Sequence, residues 1–213
     1  MGSATSADGS RARAPGRPQV ADPFEVARTA LRLFADHGFD ATTVDQIATA
    51  AGISRRTLFR YFPSKNDLVW GDFDAERARL RAHLDARPSE EATMLAIRRA
   101  VVATNDFVTA DLPELRVRMR LLTSVPTLQA YSTLRYAEWR EDIARFVAAR
   151  RGVRADALVP TAIGFSVLGV TLASFLRWME LDTDAGLRPI LDHGLSALEA
   201  GFPDHLAADP SVP

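Results

Sequence analysis

Arg55, Arg56, Thr57 and Arg60 crowd into one short segment, with Ser54 just before them and Phe59, Tyr61 and Lys65 among or after them. They stand in the run TTVDQIATAAGISRRTLFRYFPSK, residues 42–65. A guanidinium is a planar fork that matches two acceptors on the major-groove edge of guanine, and a threonine methyl packs against that of thymine. A tyrosine hydroxyl or an ammonium suits a backbone phosphate. These types at this spacing point to the reading of duplex DNA. The bland alternative is a solvated helical hairpin with surface arginines, and such a hairpin pattern taken alone is a weak signal.

Two short helices must hold these side chains. Thr43 and Gln46 form a T-x-x-Q capping box that starts the first. Val44, Ile47, Ala48 and Ala51 then recur on one face. Gly52 ends that helix and Ser54 caps the next. The second helix offers Leu58, Phe59 and Phe62 for burial and leaves its arginines mainly elsewhere. A recognition helix needs that division between a packed face and a reading face. A further helix is expected from Asp22-Pro23, with Val26, Ala30, Leu33 and Phe34 closing against Val44, Ile47, Leu58 and Phe62. Another is expected to begin at Ser64 and run to about Ala86, with free amides and Lys65 at its start suited to a phosphate. Trp70 and Phe73 on it would line a ligand pocket or seal a junction, and Gly71 would permit a bend.

The run from Leu33 to Leu68 resembles the N-terminal signature of the TetR family of one-component repressors, over about residues 31–68. The resemblance implies an all-α protein. An N-terminal three-helix helix-turn-helix domain over 21–68 would precede a helical effector-binding and dimerisation domain over 69–203, between a disordered tail (1–20) and a loose one (204–213). Gly38 and Phe39 match the turn after the first helix, and Thr43 the cap of the second. Thr57 and Lys65 match base-or-phosphate and phosphate contacts. Two positions depart from the common pattern. Arg56 replaces a frequent glycine and implies an additional DNA contact. Phe59 replaces a phosphate-contacting tyrosine, for which Tyr61 would compensate. The continuation VWGDFD, residues 69–74, is similar to the mycofactocin-system transcriptional regulators. That subgroup implies autoregulation beside a redox-cofactor biosynthesis cluster and release from DNA by long-chain acyl-CoA.

Composition sets bounds on these readings. The chain has 213 residues and a net charge of −1, so DNA affinity must come from a local patch. Residues 1–71 carry nine basic side chains against seven acidic ones. Arg11, Arg13 and Arg17 in the tail would enter a minor groove or merely solubilise it. Only Lys65 is a lysine, against 25 arginines, which genome composition explains. Cysteine is absent, so disulfides and thiolate chemistry are excluded. The histidines, His37, His83, His193 and His205, lack metal-ligand spacing. No apolar leader is visible, so a cytoplasmic protein without cofactor or metal is expected.

Helices are further expected over about 88–110, from Pro113, from Pro126 to Gly152 (buried stripe Tyr136, Trp139, Ile143, Phe146, Val147), from Asp156 to Trp178, and over about 184–200. Residues 158–176 carry no charge. Nineteen such uncharged residues nearly suffice to span a bilayer. Pro160 and modest hydropathy favour instead a buried helix without membrane contact. The last two helices would pair with those of a second subunit in a four-helix homodimer interface. The resemblance places an effector pocket among the helices between Ser64 and Gly152, with Trp70, Phe73, Phe107, Met119, Leu122, Arg120, Tyr136, Trp139, Phe165 and Arg177 as its candidate lining. Phosphates of an acyl-CoA would need fork-like donors, for which Arg116, Arg120, Arg135 and Arg177 are candidates. A smaller hydrophobic effector is the alternative.

The expected function is a dimeric, ligand-released repressor on a near-palindromic double-stranded operator. An enzyme with an appended hairpin is the second hypothesis. It finds no G-x-S-x-G, Walker or H-E-x-x-H motif, and Glu141, Asp142, Asp182 and Asp184 read as ordinary surface carboxylates. A helical adaptor is the third, and salt-insensitive behaviour toward DNA would favour it.

Overall fold

The structure, a computed structural model, describes residues 22–107, 109–181 and 186–202. The expectations for Arg11, Arg13, Arg17, Asp182, Asp184, His205 and the two terminal tails lie outside the described residues. Within them the chain is all helix: α1 (Pro23–His37), α2 (Val44–Ala50), α3 (Arg55–Tyr61), α4 (Asp67–Trp70), α5 (Phe73–Asp85), α6 (Thr93–Thr104), α7 (Leu112–Ser124), α8 (Pro126–Arg151), α9 (Leu158–Glu180) and α10 (Leu187–Glu199), with a 3-10 turn at Thr109–Asp111 before α7.

Local chemistry sets the first boundaries. The Asp22 carboxylate accepts from the Phe24 amide at 2.9 Å with Pro23 in the first turn. Thr43 and Gln46 satisfy each other's backbone amides at 2.7 and 3.2 Å, a cap worth about 1 kcal/mol. Gly52 at φ +64° turns the chain from α2 toward α3. Val26, Ala30, Leu31 and Phe34 of α1 then bury against Ile47, Ala48, Leu58 and Phe62. Leu31 fills the fully buried place, and Leu33, expected in the core, is only half-buried. Full burial of one such leucine contributes roughly 1.5–3 kcal/mol.

The helix expected from Ser64 to Ala86 is two helices. Gly71 adopts φ 63°, ψ −141°, a region that side-chain-bearing residues avoid, and the Asp72 carboxylate caps α5 by accepting from the Ala75 amide at 3.0 Å. The helix expected over 88–110 is shorter, Thr93–Thr104, closed by Asn105. Asp156 does not cap α9. It pairs with Arg154 at 2.6 Å, and Ala157 holds the cap position. α8 and α9 pack along each other, α10 packs on α9 and α6, and α5 packs on α6 and α8. α7 lies between the two parts, touching α1 and α4 on one side and α8 and α9 on the other. The expected domain boundary at residues 68 and 69 falls inside α4.

Asp142 is no surface carboxylate. Its side chain is fully buried, accepts from Arg77 Nε at 2.7 Å and from Arg81 at 3.3 Å, and clasps α5 to α8. α9 was expected to be buried all round. Its inner face packs on α8 and α10, while Leu158, Ala162, Phe165, Gly169, Ala173 and Leu176 form one exposed stripe. By length and composition alone this helix could cross a membrane.

Candidate nucleic-acid interface and apolar cavity

α3 is held by its buried side chain Leu58, and its other faces reach outward. Ser54 caps it, with Oγ accepting from the Thr57 amide at 3.1 Å. Thr57 Oγ1 lies 2.9 Å from Ser54 Oγ, so this hydroxyl has an internal partner, and the residue remains half-exposed. Arg55 and Arg56 are exposed. Arg55 lies 3.3 Å from Asp45 of α2 and 5.5 Å from the centre of the Phe59 ring. Phe59 is itself 37% exposed. An exposed ion pair of this kind is worth about 0–1 kcal/mol, so it orients Arg55 without holding it back from a partner. Arg60 donates to the Tyr61 hydroxyl at 3.2 Å. Thr43 is exposed at the start of α2. Arg55, Arg56, Arg60 and Tyr61 thus share a short helix with one packed face.

Lys65 departs from its expected setting. It stands in the turn before α4, and the free amide expected beside it is taken: the Ser64 amide and hydroxyl both donate to Asp67 Oδ2, at 2.9 and 2.7 Å. Lys65 instead donates to the Asp40 carbonyl at 3.5 Å, with its ammonium 4.3 Å from the centre of the Phe39 ring. Burial pulls that ammonium below the usual lysine value, and Asp40 opposes the shift.

Asp67 is a buried hub. Beyond Ser64, it accepts from the Tyr131 hydroxyl and from Arg135, each at 2.5 Å, and both donors belong to α8. Burial alone would raise this carboxyl, but the hydrogen bonds from Tyr131, Ser64 and Arg135 hold it below the usual carboxylate range. The turn that carries Lys65 is therefore bolted to α8.

Three residues beyond Asp67 begins a partly open cavity of about 100 Å³. Trp70, Phe73, Phe107, Met119, Leu122, Tyr136 and Trp139, all named from sequence, line it together. Leu115, Leu168, Leu172 and Phe175 complete its apolar wall, and Glu76, Arg79, Thr104, Asn105, Arg118 and Thr171 supply polar groups. The Trp70 ring meets Phe73 and Tyr136 edge-on, with centroids 4.9 and 5.4 Å away. Burial raises the Glu76 carboxyl above its usual range, and Arg118, 3.4 Å away, opposes the shift.

Three candidates do not reach this cavity. Arg120 is exposed on α7. Phe165 is 54% exposed on the outer stripe of α9, under the Arg140 guanidinium at 3.9 Å. Arg177 pairs with Glu180 at 3.3 Å. Nor do Arg116 and Arg135 guard its mouth. Arg116 donates to the carbonyls of Trp178 and Leu181, both at 3.1 Å, and Arg135 belongs to the Asp67 hub. The arginines of the cavity are Arg79 and Arg118. The family resemblance places the pocket among the helices between Ser64 and Gly152, and Phe165 and Arg177 point to α9; the residues of α9 that line the cavity are instead Leu168, Thr171, Leu172 and Phe175.

Residues 27–69 match the family described as bacterial regulatory proteins, tetR family, and residues 91–203 match the MftR C-terminal domain. The chain is 41% identical over 187 residues to the Mycobacterium tuberculosis regulator named for mycofactocin biosynthesis, MftR, covering 88% of this chain and 94% of that one. It is 35% identical over 138 residues to the HTH-type transcriptional regulator TcmR of Streptomyces glaucescens, covering 62% and 61%. Among solved structures, the fatty acid degradation regulator FadR of Bacillus halodurans superposes with a TM-score of 0.61 at 18% identity, covering 84% of this chain and 98% of that one. Thermus thermophilus FadR, in complex with lauroyl-CoA, superposes with a TM-score of 0.52 at 22% identity, covering 90% and 100%. At such identity these two structures share the fold.

Proposed function

The chain belongs to the TetR family of DNA-binding transcriptional regulators, with an MftR-type C-terminal domain, and we propose that it represses a redox-cofactor (mycofactocin) gene cluster and is released by long-chain acyl-CoA. α3 would lie in a major groove, with Arg55, Arg56 and Thr57 at base edges and Thr43, Ser54, Phe59, Arg60, Tyr61 and Lys65 toward the backbone. Two such helices, carried by a homodimer paired through α9 and α10, would meet half-sites about 34–36 Å apart on a near-palindromic operator. The division into a DNA-reading part up to residue 68 and an effector-binding and dimerising part after it belongs to the same proposal.

The observation that carries the release step is one of volume and place. A cavity of about 100 Å³ is smaller than the roughly 150 Å³ cavity that admits benzene, and ordinary ligand sites run from about 300 Å³ upward. A long acyl chain needs more room than this, and moving the walls apart would supply it. Trp70 and Phe73, which flank the Gly71 break, are among those walls. A ligand shifts an equilibrium only by its difference in affinity between two states, and a chain that needs the expanded cavity has that difference. Expansion would move α4 against the Asp67 hub and carry the Lys65 turn with it.

The MftR relative's name and the FadR complex with lauroyl-CoA support this choice of operon and effector. One feature favours a second reading, a neutral hydrophobic effector: Glu76 sits beside Arg118 and tempers the positive charge that a polyphosphate would seek. The deciding measurement is the affinity of the full-length protein for DNA upstream of its own gene, with and without a series of acyl-CoAs of rising chain length. The proposal expects the longer chains to weaken binding at least about tenfold, a coupling of about 1.4 kcal/mol. Affinity that stays constant across the series removes acyl-CoA and leaves the neutral effector.

A further inference from the structure

Two residues that line the cavity carry buried donors without acceptors among the described residues. Trp70 is 6% exposed, lines the cavity, and its indole Nε1–H is buried without a partner among the described residues. Arg118 Nε, on the same lining, is buried and unpartnered in the same way. A buried N–H left unmade costs about 1–3 kcal/mol. The neighbouring polar groups spend their protons elsewhere, Thr104 on the Ala100 carbonyl, Thr171 on that of Val167 and the Asn105 side-chain NH2 on that of Val101, each at 2.8 Å, and none of their oxygens accepts from the indole. The aromatic rings of Phe73 and Tyr136 fix the indole on two sides and offer it no lone pair in plane.

The geometry points to Trp70 as the residue that selects the effector, by donating its Nε1–H to a carbonyl oxygen embedded in an otherwise apolar molecule, with Arg118 as the second donor. This deepens the reading of the cavity as an effector site and rests on it. The ligand class is a hydrophobic chain with a hydrogen-bond acceptor part-way along it, such as a ketone, ester or thioester. A pure hydrocarbon of the same shape would leave the indole unsatisfied. A site with a committed donor rejects the analogue that lacks the acceptor, whereas an all-apolar site discriminates weakly between them.

A matched pair of probes tests this by titration calorimetry: methyl heptyl ketone, and its analogue in which a methylidene carbon replaces the carbonyl oxygen. The native protein is expected to bind the ketone at least about tenfold more tightly, and Trp70→Phe, which keeps an aromatic ring and loses the N–H, to erase most of that preference. The carbonyl stretch of the ketone bound to native protein is expected at lower frequency than in an alkane solvent, a readout that survives if the variant fails to fold. An equal preference in both proteins, or an unshifted stretch, overturns the assignment to Trp70 while the cavity remains a ligand site. Failure of both probes to bind native protein overturns the cavity reading as well.

Discussion

Asp67 is the side chain whose loss would be felt in both halves of the molecule, because it joins the turn carrying Lys65 to Tyr131 and Arg135 of α8. Removing one partner of a buried pair costs about 3–5 kcal/mol. Asp67→Ala is therefore expected to lower the thermal midpoint by roughly 6–20 °C near neutral pH. The pH dependence has a definite sign. The folded carboxyl lies below its ordinary value, so its stabilisation is fully present above that value and is lost as pH falls through the folded one. Melting curves of native and variant protein should therefore converge below about pH 4, and a gap that stays constant into acid would contradict the hub. In the sequence a helix start is marked at Ser64, and Asp67 stands three positions on. The local hydrogen bonds were legible, but Tyr131 and Arg135 were not, since nothing local marks a partner more than sixty residues away. The same distance hid Arg79 and Arg118 behind more conspicuous arginines. The aromatic residues of the cavity were legible because large apolar side chains at helical spacing must be buried somewhere.

At the scale of elements, the joint between α4 and α5 is the departure that matters most. The sequence pattern across it is helical throughout, and Gly71 alone signals the break. A glycine inside a helix pattern reads equally as a bend, and the expectation kept one helix. The structure resolves the choice through φ +63° and the new cap at Asp72. Gly→Ala at a compatible site stabilises a protein by about 0.4–1 kcal/mol. Here the backbone lies in a region other residues avoid, so Gly71→Ala is expected to destabilise by about 1–3 kcal/mol, although an added methyl would meet only the tip of Arg118 at 3.4 Å. Chemical denaturation decides between the signs, and a gain in stability would mean that the joint is not strained. α1, α2, α3 and α8 were legible to within a residue or two because a cap, a proline or a glycine marks their ends. The shortening of α6 was not, since its closing residue is Asn105 rather than a breaker.

For the whole molecule, the exposed stripe of α9 is the feature that one chain cannot account for. Scattered apolar residues on a surface need no explanation, but a continuous helical stripe marks an interaction face. The proposed homodimer would cover it, with the small residues Ala162, Gly169 and Ala173 allowing a second helix to approach closely. Phe165→Glu is expected to leave each chain folded, because Phe165 is more than half exposed, and to convert a dimer into monomers in sedimentation analysis. A variant that sediments like native protein would place the interface elsewhere. The Arg140 guanidinium over this ring offers the new carboxylate a partner within its own chain, which favours the isolated subunit further.

Lys65 carries the chain's sole side-chain amine, and it lies over the Phe39 ring at the edge proposed to meet DNA. An acylating reagent therefore has one side-chain target, placed where a bound duplex would shield it. Burial favours its neutral, nucleophilic form, so its rate of acylation, slowed by a bound duplex, would report on occupancy of the operator without any engineered cysteine.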